Sequence, residues 1–200
     1  MLELTPDMLH ASGSSRHCYR HPHDDSACVK VDRPNIRKSY TLNEINFFRR
    51  IGNWRDVANL KASSGFLGTE ETNLGLGAEY RLIRNETDGK VSATLYDVLH
   101  RDPAPFSTEV LDAALVDFRK RLLADAVMAK DLRPWNICVQ VLKDQSIRFW
   151  LVDGFGHRTR FRLKDYIAFF GRRKLREYMR NVHLTSIDDV RKAYPPGLSH

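Results

Sequence analysis

Asp131-Leu132-Arg133-Pro134-Trp135-Asn136, followed by Leu151-Val152-Asp153-Gly154-Phe155-Gly156, decide how this chain is read. The first stretch sets an Asp and an Asn five positions apart around a proline, which does not continue a helix. The second ends the apolar run Phe149-Trp150-Leu151-Val152 on a carboxylate with glycines beside it. A carboxylate at the mouth of a buried strand is costly unless it is paired or bound to a cation. Gly154 and Gly156 let the backbone turn sharply next to it. Asn136 and Asp153 lie 17 residues apart, room for one hairpin made of Ile137 to Leu142 and Ile147 to Val152, joined by Lys143-Asp144-Gln145-Ser146. Such a hairpin returns both of its ends to one rim. A loop Asp131 can reach a substrate hydroxyl, and Asn136 and Asp153 offer oxygens to a hard divalent cation. The plain alternative is that Asp, Pro and Asn are here as turn formers.

Upstream of the motif, Ser107 is placed to cap a long helix with Leu111, Ala114, Leu115, Phe118 and Leu122 on a single face. Ser92 to His100 reads as a short helix. The first part of the chain reads as strands with one helix. Arg16 to Arg20 and Ala27 to Asp32 are neighbouring strands across the turn-rich His21-Pro22-His23-Asp24-Asp25. Gly65 to Glu71 and Ala78 to Arg84 are two more, flanking Asn73-Leu74-Gly75-Leu76-Gly77. Thr41-Leu42-Asn43-Glu44 has capping-box spacing, and Leu42, Ile45, Phe48 and Ile51 follow at helical intervals. Downstream of the motif, Leu163, Tyr166, Ile167 and Phe170 make a helical stripe, broken at Gly171 and resumed at Leu175, Tyr178, Met179 and Val182. Strands with one helix, then mainly helices with a hairpin, predict an α+β chain of two lobes, divided as 1–84 and 85–200.

Several residues carry two readings. Lys30, inside Cys28-Val29-Lys30-Val31, is either an edge or solvated-face lysine or a cation that meets phosphates and is oriented by a helical Glu. Glu44 is the obvious partner, yet the box with Thr41 would use its carboxylate to cap its own helix. Gly13, in Ser12-Gly13-Ser14-Ser15, could approach phosphates through main-chain amides, although the turn holds one glycine rather than several. His17, Cys18, His21 and His23 have ligand-like spacing but lack a matching distal pair, and a hairpin turn with exposed imidazoles accounts for them. Trp135 and Trp150 read as core or site wall rather than as nucleic-acid stacking platforms.

Composition excludes little but locates one thing. The chain is 200 residues long and 42% hydrophobic, ample for a globular core, and has a net charge of +7. Residues 1–156 balance, with 21 basic and 21 acidic side chains, so the excess comes from residues 157–200, with 11 basic and 4 acidic. A basic segment of this kind attracts anionic molecules, membrane surfaces or nucleic acid. Three widely spaced cysteines without a C-x-x-C suit a reducing cytoplasm, and neither a targeting segment nor a membrane-spanning run is visible.

Taken together these motifs resemble the protein-kinase-like superfamily and, more narrowly, the YrbL family of small bacterial kinase-like proteins (PhoP regulatory network protein YrbL). The resemblance runs through Gly13 to Pro22, Cys28-Val29-Lys30-Val31, Glu44-Ile45-Asn46-Phe47-Phe48, Lys130 to Cys138, Val152 to Gly156, and the basic run from Arg172 to Arg180. It implies a bilobal kinase-like fold, with a small antiparallel sheet and one helix in the first lobe and a reduced, mainly helical second lobe. It implies ATP between the lobes, Lys30 on the phosphates with Glu44 orienting it, and main chain near Arg81, Leu82 and Ile83 facing adenine. Asp131 would be the catalytic base, with Asn136 and Asp153 holding Mg2+. The chain departs from protein kinases at Ala129-Lys130, where His-Arg is usual, and at Gly154, inserted after Asp153. Forty-four residues follow Gly156, with no Ala-Pro-Glu segment, so a complete peptide-docking platform is not expected and a non-protein acceptor is.

The leading expectation is therefore a cytoplasmic phosphotransferase using ATP and magnesium on an unidentified, anionic acceptor drawn by the basic segment. The alternative is a pseudokinase that binds nucleotide or a partner without chemistry. A nucleic-acid-binding module ranks last, because no recognised nucleic-acid motif supports it.

Overall fold

The computed structural model describes residues 1–36, 39–53, 55–101, 104–156 and 168–198. They form two compact units, Met1–Leu60 with Ser64–Leu82, and Lys61–Ser63 with Ile83–Ser199. The division falls between Leu82 and Ile83, two residues before the expected boundary, with Lys61–Ser63 also in the second unit.

In the first unit, after a one-turn 3-10 helix at Pro6–Met8, come β1 (Leu9–Ser12), β2 (Arg16–His21), β3 (Asp24–Asp32), β4 (Phe66–Thr72) and β5 (Gly75–Arg81). They build one antiparallel sheet in the order β1-β2-β3-β5-β4. β1 and the 3-10 turn were not anticipated; four exposed residues carry no alternation to betray β1. The β4–β5 turn is tighter than expected, closing on Thr72 and Gly75 around Asn73-Leu74. Gly65 precedes the sheet at φ +71, with a would-be Cβ 2.2 Å from the Ala58 carbonyl oxygen, so only glycine fits there.

Helix α1 (Tyr40–Gly52) covers one face of the sheet, burying Ile45, Phe48 and Ile51. Its N-cap is Ser39, whose hydroxyl accepts from Leu42 N–H at 3.0 Å. The Thr41–Glu44 capping box is thereby overturned. Asp32, at the end of β3, takes hydrogen bonds from the Ser39 hydroxyl and from both the N–H and hydroxyl of Thr41, which anchors the helix two residues earlier. The opposite face of the sheet packs Leu4, Tyr19, Val29 and Val31 together.

The second unit is organised by α2 (Leu95–His100), α3 (Thr108–Asp125), the hairpin β6 (Ile137–Val141) and β7 (Ile147–Leu151), α4 (Ala168–Asn181) and α5 (Ile187–Ala193). α3 buries the expected stripe of Leu111, Ala114, Leu115, Phe118 and Leu122, and Phe118 meets Phe149 of β7 edge-on at 6.3 Å. It ends at Ala126 in the left-handed conformation, φ 49. Asp125 receives the main-chain N–H groups of Lys61 and Ala62; burial pushes its carboxyl up, and these amides pull it back. α2 starts at Leu95, capped by Thr94, later than the reading from Ser92. α4 runs through Gly171 without a break; a mid-helix glycine costs only about 1 kcal/mol against alanine. Leu163, Tyr166 and Ile167 lie outside the described residues. Among the described residues no helix is long and apolar enough to cross a membrane.

Candidate functional site

The hairpin brings its two ends together as the spacing requires. Ile137 pairs with Leu151, and one step further out Val152 N–H donates to the Asn136 carbonyl at 2.9 Å. Asn136 therefore stands opposite Val152, and Asp153 is the next residue beyond the hairpin. Asp131 is tied to the same end through the main chain: the Gly154 carbonyl accepts from Lys130 N–H at 2.7 Å and from Asp131 N–H at 3.2 Å. Gly156 N–H donates to the Met128 carbonyl at 2.8 Å, and Ala129 bridges Phe155. Gly154 has φ +82, and a Cβ there would stand 2.5 Å from the Asp131 carbonyl oxygen and 2.7 Å from its Cβ. Only a residue without a side chain lets the two segments lie this close.

Within the cluster, the Asn136 amide Nδ2 donates to the Asp131 carbonyl at 3.2 Å, which fixes the side chain of a residue that ends a short 3-10 turn. Asp153 Oδ1 accepts from Gly154 N–H at 2.6 Å. The Asp131 carboxylate takes both arms of the Arg133 guanidinium, Nε to Oδ1 and Nη2 to Oδ2, each at 2.5 Å. Asp131 in turn holds the Arg133 pKa above its ordinary value, chiefly through these hydrogen bonds. Arg133 also lies 4.7 Å over the Trp135 ring. Tyr178 of α4 donates to the Lys130 carbonyl at 2.5 Å, bracing the loop from behind.

Two oxygen-bearing side chains, one amide and one carboxylate, make a donor set suited to Mg2+, which is held by one or two protein groups with phosphates and water completing its shell. Among the described residues no group of three or more His, Cys, Asp or Glu is placed to hold a metal, which includes His17, Cys18, His21 and His23. His17 Nδ1 instead meets the Ser12 hydroxyl at 3.0 Å, and none of the three cysteines is in a disulfide.

In the first unit, Lys30 is 6% exposed and faces inward, with Nζ 4.8 Å from the Tyr80 ring centroid. Glu44, 2% exposed, accepts from Arg16 Nη1 at 2.9 Å and Nη2 at 3.4 Å and from the Tyr80 hydroxyl at 2.5 Å. The sequence reading missed Arg16 and Tyr80. Arg16 leads a strand of mixed exposure, where a buried arginine and a solvated one look alike.

Two further expectations concern main-chain groups, some of which the fold already uses. The Gly13 N–H is given to the Arg16 carbonyl at 2.9 Å, closing the β1–β2 turn. Near the expected adenine-facing stretch, Arg81 N–H donates to Ser64, Leu82 N–H donates to Ser26, and the Ile83 carbonyl accepts from Ser92. Each of those groups serves its own unit.

Residues 2–184 match the family model of PhoP regulatory network protein YrbL. Uncharacterized protein YrbL of Escherichia coli (strain K12) and that of Shigella flexneri are each 25% identical over 161 residues, covering 80% of this chain and 75% of theirs. Among solved structures, the kinase domain of PF14_0431 superposes with a TM-score of 0.52 at 17% identity, over 79% of this chain. The chain spans about half of that domain, 54%, and the likeness establishes a kinase-like fold.

Proposed function

This chain belongs to the family of PhoP regulatory network protein YrbL, and on that premise we propose that it is a phosphotransferase using ATP and magnesium on a non-protein acceptor. The observation that carries the reading is that Gly154 joins Asp131 to Asp153 while the Asn136 amide donates to the Asp131 carbonyl. Phosphoryl transfer asks little covalent help of a protein; it asks for a proton acceptor and for fixed charge around the phosphates. Asp131 is the proton acceptor for the attacking hydroxyl. Asn136 and Asp153 would hold the magnesium, which when bound neutralises phosphate charge. Lys30 contributes its ammonium to the phosphates, held over the Tyr80 ring. Arg133 must release one arm of Asp131 before that carboxylate can take a proton, and an incoming anion is the natural competitor for the guanidinium.

The test is ADP release from Mg-ATP across a panel of hydroxyl-bearing metabolites, with a generic peptide as one arm. Acceptor-dependent ADP from a small molecule supports the reading; transfer confined to peptide overturns the acceptor class.

A second reading, a pseudokinase that binds nucleotide or a partner without chemistry, is favoured by the engagement of both Asp131 oxygens by Arg133. ATP binding with no ADP above buffer across the whole panel would decide for it.

A further inference from the structure

We infer that Arg16 and Tyr80 are positioning residues for Lys30, forming a relay that runs from Arg16 through Glu44 and Tyr80 to the lysine ammonium. Its functional meaning rests on the reading of Lys30 as the cation for phosphates; the relay itself rests on geometry. Cys18, Lys30 and Ala78 stand opposite one another across β2, β3 and β5. Opposed residues share a face and alternate positions repeat it, so Arg16, Lys30 and Tyr80 all rise toward α1. There they meet Glu44.

Each link restrains the next. The Arg16 fork holds Glu44 through both carboxylate oxygens, at 2.9 Å and 3.4 Å, so the carboxylate cannot swing. Glu44 holds the Tyr80 hydroxyl at 2.5 Å, which fixes one end of the ring. The ring itself stands edge-on to Phe48 at 6.0 Å and Phe66 at 5.8 Å, and those two are stacked at 5.0 Å. Phe48 lies one turn after Glu44 on α1, so the helix grips Tyr80 at the hydroxyl and at the ring. Lys30 then sits over the ring, an attraction that strengthens where water is scarce, and all four side chains are at least nine-tenths buried.

The electrostatic consequence follows from the same contacts. Arg16 engages the buried Glu44 carboxylate, so that charge is partnered within the relay. Losing Arg16 leaves a buried carboxylate without its guanidinium.

Two measurements on the full chain test this. The first is the ring-current shift of the Lys30 ε-methylene protons by NMR, which needs no ligand. The second is Mg-ATP affinity by calorimetry. Tyr80→Leu should abolish the shift and weaken Mg-ATP by about tenfold. Arg16→Met should move the shift and weaken Mg-ATP, because a Glu44 carboxylate released from the guanidinium fork no longer fixes the Tyr80 hydroxyl. A merely structural role would lower the melting temperature and leave shift and affinity where they were, which overturns the relay. If Arg16→Met does not fold, Tyr80→Phe decides: it keeps the ring and removes only the hydroxyl. An unchanged shift in that variant sinks the inference. Lys30→Ala separates this proposal from the one it rests on. Unchanged Mg-ATP affinity there refutes the phosphate role while the NMR arm still decides the relay. Weakened affinity there with none lost in Tyr80→Leu refutes the relay alone.

Discussion

Arg16–Glu44 in the first unit and Arg133–Asp131 in the second are the same chemical pair in different surroundings. The side chains of the first are 9% and 1% exposed; those of the second are 44% and 20% exposed. The buried pair has a third member, Tyr80, and lies out of reach of bulk water. The exposed pair is geometrically tighter, yet water can solvate either partner once they separate. Burial, not bond length, decides which pair holds the fold and which can open. Breaking a buried pair strands a charge, whereas breaking an exposed one only returns it to solvent.

That contrast can be broken in several places. Asp131→Asn should carry the largest effect, lowering turnover by orders of magnitude while nucleotide affinity stays near wild type. Equal steady-state ADP release by this variant would remove Asp131 from the mechanism. Arg16→Met should cost about 3–5 kcal/mol of stability in urea denaturation, the penalty of an uncompensated buried carboxylate. A loss below about 1 kcal/mol would mean that Glu44 finds another cation at no cost. Replacing both partners, as Arg16→Met/Glu44→Gln, should regain most of that stability, because Gln still accepts from Tyr80 and no charge is left behind. Additive losses in the double variant would argue against a direct pair. The smallest effect belongs to Arg133→Ala, within about 1 kcal/mol and shrinking as salt rises. A large, salt-independent loss there would show the loop pair to be structural after all.

The same division explains what could be read from the sequence. The α3 stripe and the β6–β7 hairpin were legible because periodicity and spacing are local, and both came out within a residue or two. Ser107 as a cap was legible for the same reason. The start of α1 was not, since Ser39 and Thr41 both offer a hydroxyl and only Asp32, a tertiary neighbour, settles which one caps. Arg16 and Tyr80 were invisible as a pair because their meeting depends on three strands and a helix. α5 was overlooked although Ser186 and the acidic Asp188 and Asp189 mark its beginning. Beside the Asp131 loop, the return of the hairpin's ends at Asn136 and Val152 followed from chain length. The engagement of Asp131 by a residue two places along did not, since neighbours in a loop have no period to place them.

Gly154 gives position 154 an unusual value in any mutational scan. It bears no reacting group, yet its backbone occupies the space where a methyl would collide with Asp131. Alanine there should mimic an inactive allele while every acidic and amide side chain of the cluster keeps its identity. Genetically, that makes it a null that separates the shape of the loop from its chemistry.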